Sequence, residues 1–248
     1  MSVIYILWLR ELKKYVRSKP QIVASLGTPL MYLGVLGFGL GPVFRRAGEG
    51  SYLQFVAPGV IGMTVLFTAM FSGIAMLWDR QFGFLKETLV APVPRVQIMI
   101  GRTLGGATVA VLQGTLIFLV TLVAGFRPAS VLAALTAFII IALIAVVFSA
   151  LATAIGSSLK EMAGFQMVMN FLVMPLWFLS GALYPLKGLP TALAVLTRID
   201  PLTYGIDGVR GTMIGTSHFG VPLDVGILLG VGVVFVTAGA WRFSKIEV

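Results

Sequence analysis

Side chains able to do chemistry are few in this sequence, and the sites that they could build are fewer. There is no GxxxxGK followed by Ser or Thr, so no loop of this chain is read as a cradle for nucleotide phosphates. HExxH does not occur. With one histidine, His218, and no cysteine, a histidine-rich or thiolate metal centre is excluded. Gly156, Ser157 and Ser158 resemble a fragment of a hydrolase elbow, but no histidine stands ready as their base. The chain is read as no enzyme, with no catalytic residue, metal or cofactor of its own.

What remains is recognition chemistry inside apolar segments. Gln166, Asn170, Met174, Trp177 and Gly181 recur on one helical side, so two amides, a thioether and an indole form a stripe. Thr64, Thr68, Phe71 and Ala75 do the same upstream, with Phe67 beside them. Two such faces opposed would enclose an amphipathic cavity. It would suit a flat, greasy, partly polar molecule better than an ion, which needs intramembrane charge. Gln113, Gln166 and Asn170 could instead bond neighbouring helices, and spacing leaves both readings open.

A second constellation is the charged interruption at residues 79–95, DRQFGFLKETLVAPVPR. Asp79 can cap a short helix, and Pro92 and Pro94 forbid its continuation. On that helix, expected over about 79–92, Phe82, Leu85 and Leu89 share one side, with Arg80, Lys86 and Glu87 around the rest. An apolar ridge with a charged surround fits a groove on a partner protein, or rests on its own bundle.

The elements that must position these residues follow from composition. Of 248 residues, 58% are hydrophobic and 11% charged, with mean hydropathy +1.00, which describes an integral membrane protein. Six apolar runs, 21–41, 56–77, 98–124, 131–154, 164–183 and 225–241, approach or exceed the roughly 20 residues that a helix needs to cross the bilayer. Lipid cannot satisfy exposed backbone, so all six are read as helices. The fold class is all-α, and residues 221–223 can extend the last span past Asp224.

Ahead of the spans, Ile4, Trp8, Leu12 and Tyr15 share a face, which predicts an amphipathic helix over 1–19 lying in the membrane interface. The net charge of +9 is spread over the ends of the runs rather than gathered in one patch, so lipid headgroups explain it and nucleic acid does not. With the N-terminus inside, the 18 basic residues divide 12 to 6 in favour of the cytoplasm, which places both termini there. Arg102 then reads as an anchor reaching the inner interface.

Residues 185–219 resist the pattern. Pro185, Pro190 and Pro201 cut them into pieces too short to span, so the expectation is a pair of short outer helices dipping back into the bilayer, rather than a loop flat on the lipid. Asp200 and Asp207 can pair with Arg198 and Arg210 nearby. Small residues spaced by four, Gly37 with Gly41, Gly101 with Gly105 and Gly226 with Gly230, permit close helix packing, although 29 glycines make such pairs common by chance.

Three stretches together resemble the membrane subunits of ABC-2 type exporters, the group that includes the daunorubicin-resistance and nodulation-factor exporter permeases. The first is FVAPGVIGMTVLFTAMFSG with the loop that follows, where Asp79, Arg80, Gly83, Leu85, Leu89 and Pro92 match the family pattern. FLSGALYPLKGLP, residues 178–190, is similar to the family's fifth-span exit. DPLTYGIDGVRG, residues 200–211, looks like its outer re-entrant segment. Asp79 stands where many members carry glutamate, and Phe84 where threonine is common.

The resemblance covers nearly the whole chain, with residues 20–248 as the transmembrane domain. It implies a permease that works in pairs, each copy docked through residues 79–92 to a separate subunit that binds ATP and Mg. It also implies an outer gate containing Pro185, Pro190, Pro201, Tyr204, Asp207 and Arg210, and a bacterial or archaeal inner membrane. The expected cargo is a hydrophobic drug-like molecule or lipid, with a lipid-linked glycan second. An ion-driven transporter is the rival, disfavoured because acids lie in loops or near span ends.

Overall fold

The computed structural model describes residues 2–46, 51–84, 88, 93–159 and 161–244. Among them the secondary structure is entirely helical. In chain order the helices are α1 (Val3–Arg17), α2 (Lys19–Phe44), α3 (Tyr52–Gln81), α4 (Arg95–Val123), α5 (Val131–Ser158), α6 (Met162–Leu179), α7 (Thr191–Ile199), α8 (Pro201–Ile214) and α9 (Val221–Ser244). Six of these, α2 to α6 and α9, span the membrane. Their ends fall within four residues of those that hydropathy predicts, because runs of lipid-compatible side chains and span length are both local properties.

Caps fix several ends. The Ser2 hydroxyl accepts from the backbone N–H of Tyr5 at the start of α1, and that of Ser130 accepts from Ala133 at the start of α5. At the start of α8 the Asp200 carboxylate accepts from the backbone N–H of Leu202 at 2.9 Å, with Pro201 at the first helical position. Gly215, at φ 74°, closes α8 in the left-handed conformation that only glycine adopts at little cost. Both α2 and α6 contain a π-type turn, at Leu33–Phe38 and Met169–Val173.

The core forms where α3 and α5 cross. A Cβ on Gly73 would lie 2.6 Å from the carbonyl oxygen of Ala152, and one on Gly156 would lie 2.7 Å from that of Gly73, so the two backbones touch. Around this crossing Ile61, Leu66, Met70, Ile141, Ile144 and Phe148 are fully enclosed. Interior packing holds these helices together, since lipid is as apolar as their side chains.

Helix α1 packs along α4, and the small-residue spacing at Gly101 and Gly105 is what admits it. Added Cβ atoms there would lie 3.0 Å from Leu7 and 2.8 Å from Glu11. Gly226 and Gly230, by contrast, face open space, so the same spacing on α9 packs nothing within the chain.

The segment after the fifth span is neither a span nor a surface loop. Helix α7 follows Pro190, and α8 inserts against α3, α5 and α9, with every residue from Leu202 to Arg210 buried. A loop flat on the lipid is thereby ruled out. Helix α9 starts at Val221, ahead of Asp224, as the sequence allows.

Candidate functional site

At the end of α3 the structure revises the expected role of Asp79. It does not cap a following helix but lies inside the last turns of α3, 5% exposed. Its Oδ1 accepts from Arg10 of α1 at 2.8 Å and its Oδ2 from Arg102 of α4 at 2.5 Å. Arg102, expected to reach towards the interface, is instead 6% exposed. The cause is tertiary: α1 covers this end of α4, and a buried guanidinium must meet a carboxylate there.

Beyond Asp79, Arg80 donates to the carbonyl of Leu159 at 3.0 Å, tying the segment to the end of α5. Phe82 ends α3, Gly83 follows at φ 84°, and Phe82 and Phe84 are 70% and 51% exposed. Leu85, Lys86, Glu87, Leu89 and Pro92 lie outside the described residues.

Behind α1 is a cavity of about 270 Å³ walled by α1, α2, α3 and α4. Thr68, Phe71 and Ala75 line it, so part of the expected α3 stripe does face a cavity. The opposite wall is not α6, as expected, but α1 and α4, with Glu11, Lys14, Tyr15 and Gln113. The Tyr15 hydroxyl donates to Gln113 Oε1, and Gln113 Nε2 bonds Ser25 Oγ at 2.6 Å. Gln113 thus bonds neighbouring helices, which was one of its two sequence readings.

The other stripe residues separate. Thr64 is buried and donates to its own helix at Val60, while Phe67 meets the edge of Trp177 with centroids 6.3 Å apart. Trp177 is 1% exposed, whereas Gln166, Asn170 and Met174 lie on the outside of the bundle. The π-type turn at Met169–Val173 explains the split. Its looser winding delays the helix by about a quarter turn, and so rotates Trp177 inward. Neither Gln166 nor Asn170 makes a side-chain hydrogen bond among the described residues.

At the opposite end of the bundle the expected ion pairs do not form. Asp200 caps α8, and burial raises its pKa to about 7 although the bonds from Leu202 and Thr203 favour its ionised form. Asp207 accepts the backbone N–H groups of His218 and Phe219. Arg210 donates to the carbonyl of Gly181 at 2.9 Å and lies 4.2 Å from the centroid of the Phe55 ring. Backbone N–H groups for the two aspartates and a backbone carbonyl for Arg210, which no sequence pattern displays, stand in for the side-chain partners. Pro190 precedes α7, Pro201 begins α8, and Tyr204 donates to the carbonyl of Arg198, while Pro185 lines a pocket with Asp207 and Arg210.

One buried acid was missed. Asp224, in the first turn of α9, is fully enclosed, and neither of its oxygens has a hydrogen-bond partner among the described residues. Its place near a span end concealed this, since the enclosure comes from α8 packing across it.

Comparison with known sequences agrees with this architecture. The profile of the ABC-2 type transporter family matches residues 2–214, from α1 to the end of α8. This chain belongs to the ABC-2 type transporter family. Among its relatives is "Nodulation protein J" of Rhizobium leguminosarum bv. viciae, 31% identical over 209 residues, covering 84% of this chain and 80% of the relative. "Nodulation protein J" of Rhizobium meliloti (strain 1021) is 32% identical over 210 residues, covering 84% and 79%. The "Inner membrane transport permease YadH" of Escherichia coli (strain K12) is 29% identical over 234 residues, covering 94% and 89%. The ABC-2 assignment and the six spans make this chain a multi-pass membrane transport permease.

Proposed function

We propose that this ABC-2 permease is the membrane subunit of an ATP-driven exporter. It carries a hydrophobic, drug-like or lipid molecule out of the cytoplasm or inner leaflet. It works as a pair of identical copies in a bacterial or archaeal inner membrane, with both termini cytoplasmic. The observation that carries this reading is the outward-facing stripe of Gln166, Asn170 and Met174 on α6. Amides left against lipid cost free energy, and a second copy facing the first across a two-fold axis would cover both stripes and leave a part-polar path between them.

Energy enters from another chain. This one has no phosphate-binding loop, so ATP and Mg belong on a separate ATP-binding subunit. The segment after α3 is the docking element, with the exposed rings of Phe82 and Phe84 beginning its apolar side. Nucleotide-driven closure of the partners would push on it, and Asp79 would pass that displacement to α1 and α4, shifting the pair from inward to outward access. The cavity behind α1, with Thr68 and Phe71 on its wall, gives a cargo with a polar end a first foothold.

The test uses the absence of cysteine. Asn170→Cys should form a disulfide-linked dimer in membranes, and a transported cargo should protect it from thiol reagents. In the same preparation Leu85→Glu with Leu89→Glu should release the ATP-binding subunit made from a neighbouring reading frame. An Asn170→Cys variant that never crosslinks, together with unaltered co-purification of that subunit, would remove both halves of the reading.

A further inference from the structure

The end of the bundle remote from Asp79 holds a pocket of about 320 Å³ that includes Pro185, Asp207 and Arg210 of the expected outer gate, and gating alone does not account for its charges. It opens beside the first turn of α3, and Asp79 lies in the last turns of that helix. The two ends are thus about 37 Å apart at 1.5 Å per residue. Phe55, Pro185, Lys187, Asp207, Arg210 and His218 are among its walls.

Donors and acceptors are out of balance there. Asp207 is turned to backbone and keeps its charge: Oδ1 takes the N–H of His218 at 2.9 Å, and Oδ2 takes those of His218 and Phe219 at 2.8 Å each. Donor capacity is not spent. Arg210 is 5% exposed, its Nη2 serves the carbonyls of Gly181 at 2.9 Å and Phe55 at 3.4 Å, and its Nε is buried with no partner among the described residues. Asp207 attracts this guanidinium through space but makes no hydrogen bond to it among the described residues. Lys187, exposed at the rim, adds a second cation with three donors.

A buried, planar guanidinium and a lysine at the mouth set two cations against the single carboxylate of Asp207, and that excess selects for an acceptor that carries negative charge. We infer that this pocket binds an anionic oxyacid group, a phosphate or carboxylate, with Arg210 as the inner donor, Lys187 as the outer one and Phe55 and Pro185 as the apolar wall. The group can arrive on a lipid headgroup or as a free anion. This inference goes beyond the transport reading and holds for either direction of transport.

Native mass spectrometry of the purified full chain in neutral detergent tests it, with three probes: short-chain phosphatidylglycerol, the matching diacylglycerol and inorganic phosphate. Phosphatidylglycerol should bind and diacylglycerol should not, with Lys187→Gln weakening binding at least about 5-fold and Arg210→Lys at least about 10-fold. Lys187 is exposed, so its variant keeps the fold and decides the matter should Arg210→Lys unfold. Binding of phosphatidylglycerol alone assigns a lipid headgroup, and added binding of inorganic phosphate assigns a free anion. Equal binding of diacylglycerol, no binding of either phosphate probe, or affinity unchanged in Lys187→Gln would each overturn the site.

Discussion

Asp79 and Arg102 meet at 2.5 Å between the last turns of α3 and the first turns of α4, with side chains 8% and 6% exposed, and this contact joins the two spans that flank residues 82–94. Arg10 reaches the same carboxylate from α1 at 2.8 Å, but 40% of its side chain is exposed, so solvent screens that arm. The inner arm is the stronger determinant. Removing one partner of a buried pair leaves the other charge uncompensated.

Asp79→Ala should therefore destabilise the protein by about 3–5 kcal/mol, whereas Arg10→Gln should cost under about 1 kcal/mol. Asp79→Leu combined with Arg102→Met should recover most of the stability while still breaking the link between α3 and α4. Melting temperatures of the purified variants, beside that of the unaltered chain, check this. A double variant no better than Asp79→Ala would mean that the pair itself, and not the orphaned charge, holds this corner.

The seat of α1 can be tested through glycine. Trp8 Nε1 donates to Thr108 Oγ1 at 2.9 Å across the α1–α4 contact, and a Cβ on Gly105 would lie 2.8 Å from Glu11. Trp8→Cys with Thr108→Cys should crosslink under mild oxidation in this cysteine-free chain. Adding Gly105→Leu should abolish the crosslink by lifting α1 away, with the six spans intact by circular dichroism. Persistent crosslinking would show that α1 accommodates the side chain in place.

Asp200 predicts a pH dependence. Burial raises its carboxyl to about 7 in the folded protein, above an ordinary value of 3.8, so the folded state holds the proton more tightly than the unfolded one. The resulting stabilisation is complete below about pH 4 and is lost as pH rises through about 7. Thermal stability should thus fall across that interval, and Asp200→Asn, which keeps an acceptor for the N–H of Leu202, should flatten the curve. An unchanged slope in Asp200→Asn would assign the dependence to other groups.

Features set by short stretches of chain were legible without coordinates. The six spans, the amphipathic α1 and the proline-bounded α7 and α8 all follow from side-chain polarity, helical period and the backbone limits of proline, and each stands near its expected place. The family followed too, because its motifs are contiguous runs. The chemistry between helices was less legible, and for particular reasons. A periodic stripe assumes constant winding, and one π-type turn in α6 sent Trp177 inward while Gln166 and Asn170 stayed outside.

Which charge meets which partner depends on what covers it. Asp79 reads as a cap and Arg102 as an anchor until α1 is seen to bury both. Arg210 was expected to find a carboxylate, but it found the carbonyl of Gly181 on another element. Sequence by itself determined a six-span helical membrane protein without a phosphate-binding motif, because polarity and covalent geometry act residue by residue, and its resemblance to the family supplied the permease. Only the tertiary structure decided its cavities, its buried ions and its idle donors, because desolvation is imposed by neighbours that are distant in sequence and adjacent in space.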